Sequence, residues 1–278
     1  MAKTETQKRI LTGILLGFFC LAWVFLAPEP VYLGLSLLFL MISVGEYKAA
    51  LLNKGITLRA PVLYGSVILA FTAGWCYWKG MTFQGNLAMT FALCNPIFFA
   101  LMRIKKGKKL VAGFLLLPLI WLVAPYFMLV YLRYLPPAPY GAGLVFWLAM
   151  VVAANDIFAY FGGRRFGKTL LAPVISPKKT REGSAFGLLG GLVTGYSTQP
   201  LLMPFAEPWQ IAALAIPLVV AAQAGDLAES RFKRYCGVKD SGSILPGHGG
   251  LLDRFDALLT TLPLYFILIY LTGLHHQW

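Results

Sequence analysis

Charge is the scarcest commodity in this 278-residue chain, and negative charge most of all. Only 13% of the residues are charged, and Asp and Glu together number 11. Ordinary soluble domains carry about 25% charged residues, so the composition argues against a soluble globular enzyme. Cysteine is also sparse. Cys20, Cys76, Cys94 and Cys236 are scattered, without the spacing of a zinc site or a disulfide framework. Histidine is confined to His248 and the terminal pair His275 and His276, so no cluster of nitrogen ligands exists. No linker long enough to separate two domains occurs. The residues that fill the space are 58% hydrophobic, with a mean hydropathy of +0.70. That excludes a disordered or collagen-like chain and points to an all-α, polytopic membrane protein.

A bilayer-crossing helix needs about 20 mostly apolar residues. Nine such segments are expected, at 10–27, 31–47, 60–78, 84–102, 110–132, 140–161, 183–203, 209–228 and 254–274. They form one membrane domain. Residues 1–109 hold the first four spans and a basic loop, and residues 110–278 hold the other five with the chemically interesting loops. The net charge of +13 is distributed unevenly. With the N-terminus in the cytoplasm and nine alternating spans, five cytoplasmic segments collect 22 of the 24 Lys and Arg residues, leaving only Lys79 and Arg133 outside. This is the positive-inside pattern. It places the C-terminus in the periplasm and the protein in the cytoplasmic (inner) membrane. Such an excess of cations suits anionic head groups and substrates rather than nucleic acid.

Glycines 183, 187, 191 and 195 recur every four residues and share one helix face, which lets another helix approach closely. The strip can serve within one chain or between the subunits of a homodimer.

The few acids are not spread evenly. Seven of the eleven (Asp156, Glu182, Asp226, Glu229, Asp240, Asp253 and Asp256) lie in or beside the two largest cytoplasmic loops; Glu5, Glu29, Glu46 and Glu207 lie elsewhere. Asp156 and Asp226 fall late in apolar spans, where a carboxylate costs a few kcal/mol unless it is paired, metal-bound or facing water. Asp226 and Glu229 are spaced i, i+3 at the end of one span, and Asp253 and Asp256 repeat that spacing at the start of the next. Carboxylates converging there would repel unless a cation sat between them, and hard oxygen ligands suit magnesium. Arg231, Lys233, Arg234, Lys239 and Arg254 flank the acids, and the 164–181 loop adds six more cations. Acids, a divalent ion and surrounding Lys and Arg are what phosphoryl or nucleotidyl transfer requires. Gly247, Gly249 and Gly250 would let backbone approach a phosphate. The run from Gly162 to Thr169 fits G-x-x-x-x-G-K-[ST], but a P-loop needs a strand before it and a helix after it. Here a membrane helix precedes it and Pro173 follows, so a P-loop is set aside.

The segment Ser230-Arg231-Phe232-Lys233-Arg234, Lys239-Asp240-Ser241-Gly242 and Ile244-Leu245-Pro246-Gly247-His248-Gly249-Gly250-Leu251-Leu252-Asp253-Arg254-Phe255-Asp256 resembles the signature of the phosphatidate cytidylyltransferases, the CDP-diacylglycerol synthases. Asn155-Asp156-x-x-Ala159-Tyr160-x-x-Gly163 and the run from Ser176 to Gly183 are also similar to that family, which often carries Thr in place of Asn155 and Trp in place of Arg181. The resemblance covers the C-terminal half; the N-terminal half matches only as hydrophobic spans. It implies the reaction of CTP with phosphatidate to give CDP-diacylglycerol and pyrophosphate, with magnesium, and a potassium ion associated with the metal centre. By motif position it implies Asp226, Asp253 and Asp256 as metal ligands. It implies catalytic roles for these three and for Lys233, Arg234, Lys239, Asp240 and Arg254. Substrate contacts would come from Asp156, Ser176, Lys178, Lys179, Ser230, His248, Gly249 and Gly250. The active site would face the cytoplasm. Two other classes share some of these features. An ion-coupled transporter would suit intramembrane Asp156 and Asp226, but the halves show no internal repeat. A CDP-alcohol phosphotransferase would carry a D-G-x-x-A-R pattern, which is missing.

Overall fold

The computed structural model describes residues 13, 15–105, 109–135, 140–245 and 249–277. In chain order the helices are α1 (Leu15–Leu26), α2 (Glu29–Asn53), α3 (Ala60–Trp78), α4 (Thr82–Lys105), α5 (Lys109–Pro118), α6 (Ala124–Arg133), α7 (Tyr140–Phe166), α8 (Arg181–Leu202), α9 (Pro208–Cys236) and α10 (Leu252–Leu271). A small antiparallel hairpin lies between α7 and α8. It pairs β1 (Leu170–Ala172) with β2 (Ser176–Thr180), in the register Leu170 to Thr180 and Ala172 to Ser176. The expectation of an all-helical membrane chain therefore holds, with one small sheet inside the 164–181 loop.

Seven helical stretches among the described residues are long and apolar enough to cross a bilayer: α2, α3, α4, the run Gly113–Arg133, α7, α9 and α10. They correspond to seven of the nine expected segments. Of the other two, α1 is apolar but shorter, and the first residues of the 10–27 segment lie outside the described ones. The 183–203 segment does form a helix, α8, but glycines and Ser184, Thr194, Ser197, Thr198 and Gln199 dilute its apolar character.

Proline sits inside several of these helices, as membrane segments tolerate. After Pro118 the ladder widens into a π-turn, Leu119–Val123, so α5 and α6 continue one apolar run through a local distortion. Two helices overshoot the expected spans. α7 has 27 residues and α9 has 29. At 1.5 Å per residue these reach roughly 40 Å and 44 Å, against about 30 Å of hydrocarbon. The surplus turns carry Arg164 and Arg165 on α7, and Lys233 and Arg234 on α9.

The chain packs as two compact units. One is built from Pro28–Tyr131 and Tyr235–Arg254, the other from Gly13–Ala27, Leu132–Arg234 and Phe255–Trp278. In the first, Tyr47 and Tyr126 are fully buried. Their hydroxyls are satisfied: Tyr126 shares a 3.1 Å hydrogen bond with Ser43, and Tyr47 donates to the Phe114 carbonyl at 3.1 Å. Gly74 lies beneath the Phe127 ring, where a Cβ would meet Cδ2 at 2.5 Å.

In the second unit the glycine strip of α8 closes onto α7. A Cβ at Gly183 would meet the Ala159 carbonyl at 2.8 Å, one at Gly187 the Asn155 Oδ1 at 2.5 Å, and one at Gly195 the Trp147 ring at 3.2 Å. Gly191 faces Val151 and, closer still, Val219 of α9. The α7 partners Trp147, Val151, Asn155 and Ala159 are themselves spaced by four, so two matching stripes meet. The strip is thus filled by helices of the same chain. Trp147 donates to the Gly195 carbonyl at 3.0 Å and stacks on Tyr265 of α10 at 5.9 Å. Tyr265 in turn donates to the Leu144 carbonyl at 3.2 Å.

Side chains added to this seam should separate the helices. Gly187→Val, and Gly143→Ala where the Leu202 carbonyl fills the space of a Cβ, should each destabilise the protein by about 1–3 kcal/mol through overpacking. Gly34→Ala, with open space around it, serves as the control. Thermal melting in detergent checks this, and equal melting temperatures for all three variants would contradict the packing described.

Candidate active site

A cavity of about 670 Å³ opens within the second unit, a volume typical of small-molecule sites. α7 supplies Asn155, Asp156, Tyr160 and Arg164. β2 supplies Ser176, Lys178 and Lys179, α8 supplies Ser184, and α9 supplies Gln223 and Asp226. The hairpin is what brings the lysines here. It folds the 164–181 loop back so that Ser176, Lys178 and Lys179 face the acids of two helices. Of the expected substrate residues, Asp156, Ser176, Lys178 and Lys179 therefore share one cavity with Asp226.

The electrostatics are those of compensated acids. Lys179 Nζ forms an ion pair and hydrogen bond with Asp226 Oδ2, both side chains about 30% exposed. Asp226 Oδ1 accepts from Ser230 Oγ at 3.3 Å, one turn further along α9. Asp156 is exposed to the cavity and accepts from Asn155 Nδ2 at 2.9 Å. It lies within charge-interaction range of Asp226, Asp256 and Lys179. Asp256, one turn into α10, accepts from the Ala257 amide at 2.6 Å and lies within charge-interaction range of Asp226 and Lys233. Glu229 is fully buried and accepts from Lys233 Nζ at 3.2 Å across an i, i+4 spacing. Of the acids expected to meet, Asp226 and Glu229 at the end of α9 thus lie near Asp256 of α10.

Behind Asp156 stands a network the sequence reading did not identify. Gln223 Nε2 donates to Asn155 Oδ1 at 2.8 Å and to the Ser184 carbonyl at 3.1 Å, while Ser184 Oγ donates to Gln223 Oε1. Three helices are tied by one amide, and the chain of bonds ends on the Asp156 carboxylate. An amide in an otherwise apolar helix was the available signal.

The remaining expected residues fall in different settings. Arg234, Lys239, Asp240 and Arg254 are exposed. Asp253 Oδ2 accepts from the backbone amides of Ser241 and Gly250, both at 2.9 Å. That carboxylate organises its own loop. Gly249 has a φ of 81°, and a Cβ there would meet Asp253 Oδ2 at 2.8 Å; at Gly250 the side chains of Ser241 and Glu46 fill the space. The room these two glycines leave is taken by carboxylates and a hydroxyl. His248, with Pro246 and Gly247, lies outside the described residues. Among the described residues no group of three or more His, Cys, Asp or Glu side chains stands close enough to hold a metal ion. Asp226 and Asp256 offer hard oxygen donors, the kind a magnesium ion takes, and Lys179 already pairs with Asp226.

The stretch resembling a P-loop is resolved by geometry. Gly162 to Phe166 belong to the end of α7, and β1 follows Thr169. The amides of Lys168 and Thr169 donate to the Glu182 carboxylate, each at 3.1 Å to Oε2. These amides serve the first turn of α8, where Thr180 also caps the helix by accepting from the Gly183 amide at 3.1 Å. With its own amide, then those of Lys168 and Thr169, Glu182 is held ionised down to about pH 2. Its folded value lies below its unfolded one, so its contribution is complete above about pH 4.5 and is lost as pH falls towards 2. Glu182→Gln should therefore show a smaller drop in melting temperature than the unmodified protein between pH 5 and pH 3. Identical drops would show that the carboxylate does not hold this junction.

The Cytidylyltransferase family model matches residues 7–272. A phosphatidate cytidylyltransferase of Bacillus subtilis is 34% identical over 274 residues, 95% of this chain and 98% of that protein. A phosphatidate cytidylyltransferase of Staphylococcus haemolyticus is 46% identical over 134 residues, 46% of this chain and 50% of its own length. One of Brucella melitensis is 44% identical over 129 residues, 46% and 47% of the two chains. A match that runs through the apolar N-terminal helices as well as the charged loops carries more than a shared motif, and the chain belongs to the cytidylyltransferase family.

Proposed function

We propose that the chain is a phosphatidate cytidylyltransferase, converting CTP and phosphatidate to CDP-diacylglycerol and pyrophosphate. The observation that carries this reading is one cavity lined by Lys178, Lys179 and Arg164 together with Asp156 and Asp226. A phosphatidate oxygen attacks the α-phosphorus of CTP. The new P–O bond forms as the bond to the bridging oxygen of the β-phosphate breaks, and pyrophosphate leaves. The attacking phosphate is already largely ionised near neutral pH, so no strong general base is needed. Lys179, already at the cavity wall on Asp226, is placed to donate to phosphate oxygens. Lys178 and Arg164 add positive charge, and Ser176 adds a hydroxyl. The Gln223–Asn155 network keeps Asp156 oriented towards the same space. We assign magnesium to Asp226 and Asp256, with Asp253 one turn earlier on α10. When bound, such an ion neutralises phosphate charge and stabilises the leaving group. Membership of a cytidylyltransferase family removes the transporter from consideration.

The orientation belongs to the same reading. Nine spans, a cytoplasmic N-terminus and a periplasmic C-terminus put both basic loops, and the cavity, on the cytosolic side, where CTP is. A reporter fused after Trp278 should register the periplasm and one inserted at Lys106 the cytoplasm. Both on one side would mean a different number of spans.

Pyrophosphate release from CTP should require both phosphatidate and magnesium. Asp226→Asn and Asp256→Asn should each lower turnover at least about 100-fold, the scale of several kcal/mol of lost charge stabilisation, while the protein still inserts and purifies. Asp253→Asn should do the same. Lys179→Ala should impair turnover far more than Lys105→Ala. If the acids serve only to pair with Lys179 and Lys233, the Asn variants will melt earlier but turn over nearly normally, and the metal assignment falls.

A further inference from the structure

The sequence places Glu46 apart from the two acid-rich loops, at the end of the apolar 31–47 segment and two residues before Lys48. The structure gives it specific partners. Its side chain is buried, 6% exposed. Oε1 accepts from the Leu251 amide at 2.9 Å, and Oε2 accepts from the Leu252 amide at 2.8 Å and from Ser241 Oγ at 3.1 Å. Three donors from the loop after α9 thus converge on one carboxylate some 200 positions earlier in the chain.

The surrounding residues are shaped to admit it. A Cβ at Gly242 would fall on the Glu46 carboxylate, and one at Gly250 would meet both its oxygens at 2.7 Å. Leu251 and Leu252 open α10, so Glu46 supplies from outside the acceptors that the first amides of a helix lack, with a charge of the sign that a helix N-terminus favours. Asp253, in the same first turn, closes the loop from the other side through the amides of Ser241 and Gly250.

We propose that Glu46 is a positioning residue for catalysis. Its carboxylate ties Ser241 to Leu251 and Leu252 and thereby fixes the first turn of α10, the turn that carries Asp253 and precedes Asp256. The proposal rests on the cytidylyltransferase reading of the site for its consequence, but not for its geometry.

Hydrogen–deuterium exchange and CTP turnover on the same purified full-length variants test both parts. In Glu46→Ala the amides of residues 249–252 should exchange at least about tenfold faster, while those of α7 keep their protection. Turnover should fall about 10- to 100-fold, as when a partner that orients functional side chains is lost. Glu46→Gln, which keeps one acceptor oxygen, should recover part of both losses. Gly242→Ala should be harmful alone but add little in the Glu46→Ala background, because the side chain it collides with has gone. Unchanged exchange at 249–252 in Glu46→Ala would overturn the proposal. So would faster exchange with normal turnover, general loss of protection with no recovery in Glu46→Gln, or fully additive losses for the Gly242 pair. Failure of the unmodified protein to release pyrophosphate would sink the assigned reaction and leave the exchange result, and with it the role of Glu46 in the loop, to be judged separately.

Discussion

A carboxylate carried on an apolar helix must find donors or cations, because the hydrocarbon around it offers neither. That constraint organises this molecule. Glu46 is met by two helix-opening amides and a hydroxyl, and Glu229 by Lys233. Asp226 is met by Lys179 and Ser230, Asp253 by two loop amides, and Asp156 by an amide chain reaching back to α8 and α9. Glu46, Asp226 and Asp156 each draw in a distant piece of chain. The hairpin is held against α9 by Lys179, and the loop before α10 is held against α2 by Glu46. The acids are few because each demands such an arrangement.

The α7–α8 seam is the second requirement. Asp156 stands on a helix whose other face is committed to glycines, and Asn155 sits in that seam with its Oδ1 2.5 Å from where a Gly187 Cβ would be. Close approach of the two helices is therefore what allows the Gln223 amide of α9 to bond both Asn155 of α7 and Ser184 of α8. A wider seam would cost packing and also release the network that orients Asp156. Packing and chemistry meet in one residue.

Much of this was legible in the sequence, for physical reasons. Apolar runs of helical length announced the spans, and the period of four announced the glycine strip. Acids at i, i+3 on two adjacent helix ends announced that charges would gather. What was hidden has equally physical causes. The partner stripe of Trp147, Val151, Asn155 and Ala159 has the same period but no common chemistry, so no composition pattern marks it. The hairpin at 170–180 is short and carries Pro173 and Pro177, and reads as loop. Glu46 looked isolated because its partners are backbone amides and one serine about 200 residues away, and every residue has an amide. Asp253 was read for its charge, whereas part of its capacity is engaged by the loop it belongs to.

The arrangement along α9 explains why such a site would belong at a membrane surface. Gln223, Asp226, Ser230 and Lys233 are separated by three or four residues, so they form one stripe along roughly 15 Å of helix. The stripe begins with a neutral amide bonded to its neighbours and passes through a carboxylate. It ends at a cation on turns that extend past the apolar span. Polarity thus rises in the same direction in which a bilayer gives way to water. A lipid phosphate, whose tails remain in hydrocarbon, meets this gradient from the apolar end, and a nucleotide meets it from the aqueous end. For the proposed reaction the two substrates need to share only the few turns around Asp226, and those are the turns to which Lys179 is tied. A soluble enzyme would have to extract the lipid from the bilayer first. Here the helix itself spans the difference in solvent between the two substrates.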